Sequence, residues 1–149
     1  MVDIKTLRIG SHVLMNGVRA KVMRLNTVKY SETETFHILV RGVSPDTGAV
    51  GECGCFADDK AVQPIPITPA LLEELGFNKG MSSAIGFDSW YCDMMRIDNN
   101  VMQAHPWWFY NQVKLRYLHE LESLYYMLRR VELIKEGVWQ QRNTKSNIV

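Results

Sequence analysis

The stretch "HVLMNGVRAKVMRL", residues 12–25, places Asn16 and Gly17 between two apolar runs. Both residue types tolerate the positive φ angles that a tight two-residue turn requires, so Asn-Gly between apolar runs is a strong β-hairpin signal. We therefore predict strands at about 12–15 and 18–25. An antiparallel sheet is expected at this end of the chain.

Further strand signals follow this hairpin. The stretch "TFHILVRGV", residues 35–43, alternates apolar and polar positions, and the following "SPDTG" supplies turn residues. Two more strands are predicted at about 49–56 and 61–63. Several short strands separated by turns predict a small, bent antiparallel β lobe over residues 1–66, an SH3-like barrel or half-barrel.

A short helix is predicted after two prolines. Pro64 and Pro66 lack a backbone donor, so they favour an extended connector. Thr68 is then expected to cap the helix, with Pro69 at its first position and Gly76 at its C-terminal end. Phe77 is expected to fold back onto the helix. The predicted apolar side consists of Leu71, Leu72 and Leu75.

The remainder of the chain predicts a hairpin and a long helix. The stretches "WYCDMMRI" and "VMQAH" flank "DNN", which places the hairpin turn at residues 98–100. Apolar residues recur at helical spacing from about 114 to 134. The fold class is therefore α+β, with residues 67–149 packed on the β lobe as one compact domain. The predicted stripe of this last helix consists of Leu118, Leu121, Leu124, Tyr125, Leu128 and Val131.

Composition limits the classes of function. The chain has 149 residues, 46% hydrophobic and 22% charged, which is typical of a globular domain. A net charge of +1 supplies no broad positive field, so extended duplex nucleic acid is not expected as a partner. The first residues resemble no signal peptide and no apolar run is long enough to span a membrane, which predicts a cytoplasmic location and no membrane partner.

Basic residues nevertheless concentrate in the last quarter of the chain. They either form a local basic patch or a solvated helix face whose cations are favoured near the C-terminus. The residues concerned are Lys114, Arg116, Arg129, Arg130, Lys135, Arg142 and Lys145.

Catalytic and metal motifs are weak. Cys53 and Cys55 share one face of a strand, but no second cysteine pair accompanies them as in structural zinc sites. Three cysteines are an odd number and favour free thiols in a reducing compartment. Nothing in the sequence orients a histidine toward a thiol. We predict no catalytic residue, no metal, no cofactor and no enzymatic activity.

The aromatic stretch "HPWWFY", residues 105–110, is the strongest candidate for binding. Adjacent Trp107 and Trp108 point to opposite faces if the segment is a strand, so one ring is expected in the core and the other outside. Aromatic rings beside Arg or Lys stack on bases and pair with phosphates, and they also form protein interfaces. A core or lobe contact, a protein interface and a small-ligand pocket are the three interpretations. The predicted ligand-binding residues are Trp107, Trp108, Tyr110, Trp90, Tyr91, Arg96, Lys114 and Arg116.

Three blocks of sequence resemble a family of small uncharacterised proteins from Bacteroidetes genomes, their phages and mobile elements. The blocks are "LRIGSHVLMNG" (7–17), "VQPIPITPALLEELGF" (62–77) and "YLHELESLYYMLRRVEL" (117–133). The resemblance implies a small β lobe, a link to a short helix and a closing helix, but no catalytic residues. The chain departs from this pattern at "SPDTGAVGECGCFADDK" (44–60) and "HPWWFYNQ" (105–112).

The sequence therefore predicts a non-enzymatic binding protein of phage or mobile-element type. The first hypothesis is capture of a small, nucleotide-like ligand between aromatic rings and Arg/Lys side chains. In the setting that the resemblance implies, such capture would sequester a host immune signal in the host cytoplasm and evade its defence. The alternative is an adaptor or inhibitor that binds a host or phage protein through the same aromatic patch. Whether the chain forms a homo-oligomer is left open.

Overall fold

In the computed structural model, the protein has an α+β fold with two five-stranded antiparallel sheets and a C-terminal helix. The chain is divided into two compact units. The first contains the described residues within Met1–Ile65 and Leu118–Val149, and the second contains those within Pro66–Tyr117. The structure describes residues 6–30, 33–43, 49–56, 60–80, 87–93, 95–100, 108–111 and 113–134, with the backbone alone at 27–30, 33–37, 43, 56, 87 and 100.

The first sheet grows from the hairpin that the Asn-Gly signal predicts. Asn16 and Gly17 have φ angles of 51° and 79°, as a two-residue turn requires. The spatial order of the strands is β4-β3-β2-β1-β5, with every neighbouring pair antiparallel. The predicted strands are confirmed as β1 (His12–Met15), β2 (Val18–Tyr30), β3 (Thr33–Val43), β4 (Val50–Phe56) and β5 (Val62–Gln63).

One face of this sheet forms the core of the first unit. Alternate residues on neighbouring strands point to the same side, so an apolar cluster lines that side. A register shift between Val22 and Arg24 marks a β-bulge, which bends a strand. Among the described strands, β4 and β5 lie at opposite edges and the sheet is not closed. The buried residues of the cluster are Leu7, Val13, Ala20, Val22, Ile38, Val40 and Val62.

The short helix α1 (Pro69–Glu74) confirms the N-cap predicted at Thr68, whereas its C-cap is Leu75 and the predicted Gly76 follows that residue. The side-chain oxygen of Thr68 accepts a hydrogen bond from the backbone nitrogen of Leu71 at 3.2 Å. Gly76 follows the helix with a φ of +92°, a conformation that glycine adopts without strain. Phe77 folds back as predicted: it is buried, and its backbone nitrogen donates to the carbonyl of Leu72 at 2.8 Å.

The second sheet contains a hairpin of Phe87–Cys92 and Met95–Asn100, whereas the predicted hairpin joined residues 90–97 to residues 101–105, which lie outside the described residues. The placement of the turn at residues 98–100 was wrong, because these residues form part of a strand paired with Phe87–Cys92. Asp93, with a φ of 46°, starts the connection instead. The strands are β6 (Asn78–Gly80), β7 (Phe87–Cys92), β8 (Met95–Asn100), β9 (Trp108–Tyr110) and β10 (Val113–Leu115), in the order β10-β9-β8-β7-β6.

The C-terminal helix α2 (Leu118–Arg129) begins four residues later than the predicted start at 114. Residues 113–115 pair with β9 instead, so the residues expected to form the first turn of the helix form a strand. Helix α2 packs against β1 within the first unit and buries Leu118, Leu121 and Tyr125. This grouping differs from the sequence-based one, which joined the helix to residues 67–117.

Candidate ligand-binding face of the second sheet

The second sheet has two chemically different faces. Residues paired across neighbouring strands share a face, so the strand register assigns each side chain to one of them. One side, here named the Trp90 face, contains Trp90 opposite Ile97, and Trp108 opposite Leu115. All four side chains are buried, with Trp90 at 3% and Trp108 at 2% exposure. The Trp90 face is therefore a core surface.

Trp108 is an anchor within this unit. Its indole nitrogen donates a hydrogen bond to the backbone carbonyl of Ile67 at 3.0 Å, in a buried position. Its ring fills the core while its single polar atom is satisfied, as buried tryptophans usually require. Trp108 is therefore the inward member of the tryptophan pair, and Trp107 lies outside the described residues.

The opposite side, here named the Tyr91 face, combines aromatic rings with cations. Tyr91 on β7 lies opposite Arg96 on β8. One row further along, Asp98 on β8, Phe109 on β9 and Lys114 on β10 lie side by side across three strands. Tyr91 is 39% exposed, Phe109 is half-buried, and both basic residues are exposed. The face therefore presents two aromatic–cation pairs to its surroundings.

The ring of Tyr91 is held over Gly80 of the neighbouring strand. A Cβ atom at Gly80 would collide with two ring carbons of Tyr91, so the ring occupies the space that a side chain would need. Close approach to another group is a recognised reason for glycine inside a strand. The arrangement lays the ring against the sheet, where one of its flat surfaces can meet a ligand.

The acidic residue on the Tyr91 face is compensated by its neighbours. Asp98 accepts a hydrogen bond from the hydroxyl of Ser89 at 2.6 Å, and its other oxygen lies 3.4 Å from the Nε atom of Arg96. These contacts offset the negative charge of Asp98 and orient the guanidinium of Arg96 along the sheet. An anionic ligand group can therefore approach the face with less repulsion.

The predicted site residues divide between the two faces. Tyr91, Arg96 and Lys114 lie together on the Tyr91 face, and Arg116 is exposed directly after β10. The remaining described residues of the set lie on the Trp90 face: Trp90, Trp108 and the half-buried Tyr110. Phe109 belongs to the aromatic stretch but was not among the predicted ligand contacts. Because side chains alternate between the two faces of a strand, the residue after the inward-facing Trp108 must lie on the opposite face, and this identifies Phe109.

The first unit contains a separate polar cluster between β1 and α2. Glu122 is completely buried and accepts a hydrogen bond from the backbone nitrogen of His12 at 2.9 Å. Its other oxygen lies 2.8 Å from Nδ1 of the same histidine. On the same helix, His119 lies 2.7 Å through Nε2 from the hydroxyl of Thr6. These contacts tie the helix to the sheet and leave the buried carboxylate well satisfied.

Arg8 extends this cluster to the surface. Its guanidinium forms two hydrogen bonds with Glu132, at 2.9 and 2.7 Å, and stacks 4.8 Å from the ring centre of Tyr126. The hydrogen bond with Arg8 holds the pKa of Glu132 below its ordinary value, and it raises the pKa of Arg8 above its own. Both charges therefore persist at neutral pH, which suits a structural clamp.

Other site classes give no candidate in the part of the chain that the structure describes. No group of three or more His, Cys, Asp or Glu side chains is arranged there to hold a metal ion. None of the described helices is both long and apolar enough to cross a membrane. No protein-family model and no curated protein matches this sequence.

Proposed function

We propose that this protein is a non-enzymatic binding protein that holds a small nucleotide-like ligand on the Tyr91 face. The supporting observation is the strand register, which puts Tyr91 opposite Arg96 and Phe109 opposite Lys114 on one face. Aromatic rings stack on flat bases, and Arg and Lys pair with phosphate oxygens. A face that offers both groups in adjacent positions suits a ligand with a base and a phosphate.

The spacing of the two pairs favours a ligand with two bases. Tyr91 and Phe109 lie on β7 and β9 with one strand between them and are offset by two residues along the strands, so their Cα atoms are about 12 Å apart. The ring of Tyr91 lies over Gly80, on the side away from Phe109. One base can stack on each ring while phosphates lie between them near Arg96 and Lys114. A linear or cyclic dinucleotide is therefore the preferred ligand class over a mononucleotide.

The biological role in this proposal is sequestration of a nucleotide signal. It agrees with the phage and mobile-element setting that the sequence resemblance implies, and with a location in the host cytoplasm. The first sheet serves as scaffold, as the bent half-barrel expected from the sequence. The bulge between Val22 and Arg24 supports that bend.

Isothermal titration calorimetry against mono-, di- and cyclic dinucleotides tests the proposal. We expect binding of at least one dinucleotide, weakened about tenfold or more by Tyr91→Leu, because base–aromatic stacking contributes about 1–3 kcal/mol per base. Tyr126→Leu is the matched aromatic control, since Tyr126 on α2 has a similar exposure of 37%. Arg96→Gln is expected to weaken binding in the same assay, with Arg24→Gln, an exposed strand arginine of the first unit, as its control.

Three outcomes would contradict the proposal. Binding that Tyr91→Leu and Arg96→Gln leave unchanged would place the ligand elsewhere. Turnover of a nucleotide by the purified protein would identify an enzyme. Absence of binding across the nucleotide panel, together with a partner protein whose binding Tyr91→Leu removes, would favour the adaptor or inhibitor alternative.

A further inference from the structure

Among the described strands, β4 forms the outer edge of the first sheet and is seven residues long. β4 lies at the end of the strand order, and its residues from Val50 to Gly54 are all exposed. Edge strands are usually blunted by lysine, proline or a bulge, because their outer backbone groups can pair with another strand. β4 contains neither lysine nor proline, and its register with β3 runs without interruption.

The charge and side-chain size along β4 also leave the edge accessible. Its one charged residue, Glu52, is bound by the guanidinium of Arg41 on the neighbouring strand. Gly51 and Gly54 provide no side chain to obstruct an incoming strand, and a Cβ atom at Gly51 would meet nothing within 4 Å. The usual obstacles to pairing at an edge are therefore missing from β4.

An open, mainly apolar groove borders this edge. It has a volume of about 360 Å³ and continues the core face of the first sheet. Gly42 and Gly51 leave this part of the face without side chains, which opens the groove. An added strand at β4 would extend the sheet beside the groove, so that its side chains on the core face would border the apolar wall. That wall is formed by Met15, Val18, Ala20, Val40 and Cys53.

We propose that β4 pairs with β4 of a second copy of this chain, in an antiparallel arrangement about a two-fold axis at Cys53. A two-fold axis perpendicular to a sheet keeps every residue on its own face. Residues paired across the axis must therefore both be even-numbered or both be odd-numbered, because alternate residues of a strand share a face. With the axis at Cys53, Glu52 lies opposite Gly54 and Gly51 lies opposite Cys55. Glu52 and Cys55 therefore each face a glycine, while Cys53 faces Cys53 of the second copy at the axis.

Other registers fit less well. An axis at Glu52 would place two carboxylates directly opposite each other, which destabilises a strand pair. An axis at Gly54 would pair two glycines and leave no side-chain contact at the centre. The strand is thus complementary to itself about Cys53, which favours a second copy over an unrelated strand. The two grooves then meet across the axis, because Cys53 lines each of them.

The oligomeric state of the full-length protein, measured by analytical ultracentrifugation over a series of concentrations, tests this pairing. We expect the wild type to sediment as a dimer of twice the chain mass. Cys53→Lys places two like charges at the axis and is expected to raise the dimer Kd about tenfold or more. Val113→Lys is the matched control, because Val113 is an exposed residue on β10, the edge strand of the second sheet.

A thiol cross-linking assay provides a second measurement that does not depend on the folding of Cys53→Lys. A short bismaleimide is expected to join two wild-type chains through Cys53. Cys53→Ser should prevent the cross-link and keep the dimer mass, whereas Cys92→Ser should still be cross-linked. A monomer at all concentrations, a dimer that folded Cys53→Lys leaves intact, or a cross-link that survives Cys53→Ser would each overturn the proposal.

Discussion

The carboxylate of Glu122 contacts His12 twice: Oε1 lies 2.9 Å from the backbone nitrogen and Oε2 lies 2.8 Å from Nδ1. Glu122 is 0% exposed and His12 is 3% exposed, so water does not compete for either contact. When Glu122 is ionised it only accepts hydrogen bonds, so in that state Nδ1 of His12 is the donor. One glutamate thus fixes the first strand to the last helix of the same unit.

Removal of the Glu122 carboxylate is expected to destabilise the protein strongly. Glu122→Ala leaves two buried donors of His12 without their acceptor, which costs about 3 kcal/mol or more in the free energy of unfolding. Glu122→Gln should cost less, because its amide oxygen can still accept one of the two bonds. Urea denaturation measures both values. The prediction is wrong if Glu122→Ala is no more destabilising than Glu73→Ala, a change at an exposed position on α1.

The Arg8–Glu132 pair predicts a pH dependence of stability. Its hydrogen bond with Arg8 lowers the pKa of Glu132 in the folded state, so folding favours the ionised carboxylate. The pair therefore contributes stability above the unfolded-state pKa of Glu132, and this contribution is lost as the pH falls through the lower folded-state pKa. Both side chains are partly exposed, so about 1 kcal/mol or less is expected.

Comparison of wild type with Glu132→Gln by urea denaturation at neutral and acidic pH checks this dependence. The difference in unfolding free energy between the two proteins should be largest near neutrality and should shrink on acidification. A difference that stays constant down to the lowest pH at which the protein folds would contradict the assignment. Glu73→Gln, at an exposed position of α1, serves as the control for general charge effects.

Local signals predicted the parts of the fold that depend on a few neighbouring residues. The turn at Asn16 and Gly17, the cap at Thr68 and the return of Phe77 need only contacts within several positions, and all three are confirmed. The turn at residues 98–100 was wrong because Asp98 resembles a turn residue in sequence. In the folded sheet its carboxylate is bound by Ser89 of the adjacent strand, which stabilises it inside β8.

The candidate site depends on register, which sequence does not supply. Part of the aromatic stretch, Trp108–Tyr110, forms a strand of the second sheet, but alternation alone left open which tryptophan faces the core. The pairing of Trp108 with Leu115 and the hydrogen bond to Ile67 decide that point. The sequence also does not reveal that Glu122 is buried, because its hydrogen-bond partner His12 lies 110 residues away in the chain.

Trp108→Phe separates core packing from ligand binding. The substitution removes the indole donor and leaves the buried carbonyl of Ile67 without it, so we expect a loss of about 1–3 kcal/mol in unfolding free energy. The Tyr91 face should keep its affinity for any dinucleotide that the wild type binds, because Trp108 lies on the opposite side of the sheet. Calorimetry on the folded variant checks this. Loss of affinity with stability retained would place Trp108 in the binding site instead.

Gly80→Ala tests the position of the Tyr91 ring without altering any side chain of the proposed site. The new methyl group would collide with the ring, which must move because it is the far end of a flexible side chain. We expect dinucleotide affinity to fall about as far as in Tyr91→Leu, while the unfolding free energy changes by about 1 kcal/mol or less.

The control is Gly51→Ala in the other unit, where the added methyl group meets no atom of the same chain within 4 Å. It should leave dinucleotide affinity at the wild-type value. Two-dimensional NMR of the tyrosine ring signals distinguishes the mechanisms, since only Gly80→Ala should shift the resonances of Tyr91. If those resonances move and affinity stays unchanged, the ring does not contact the ligand, and stacking on Tyr91 is excluded as the source of binding.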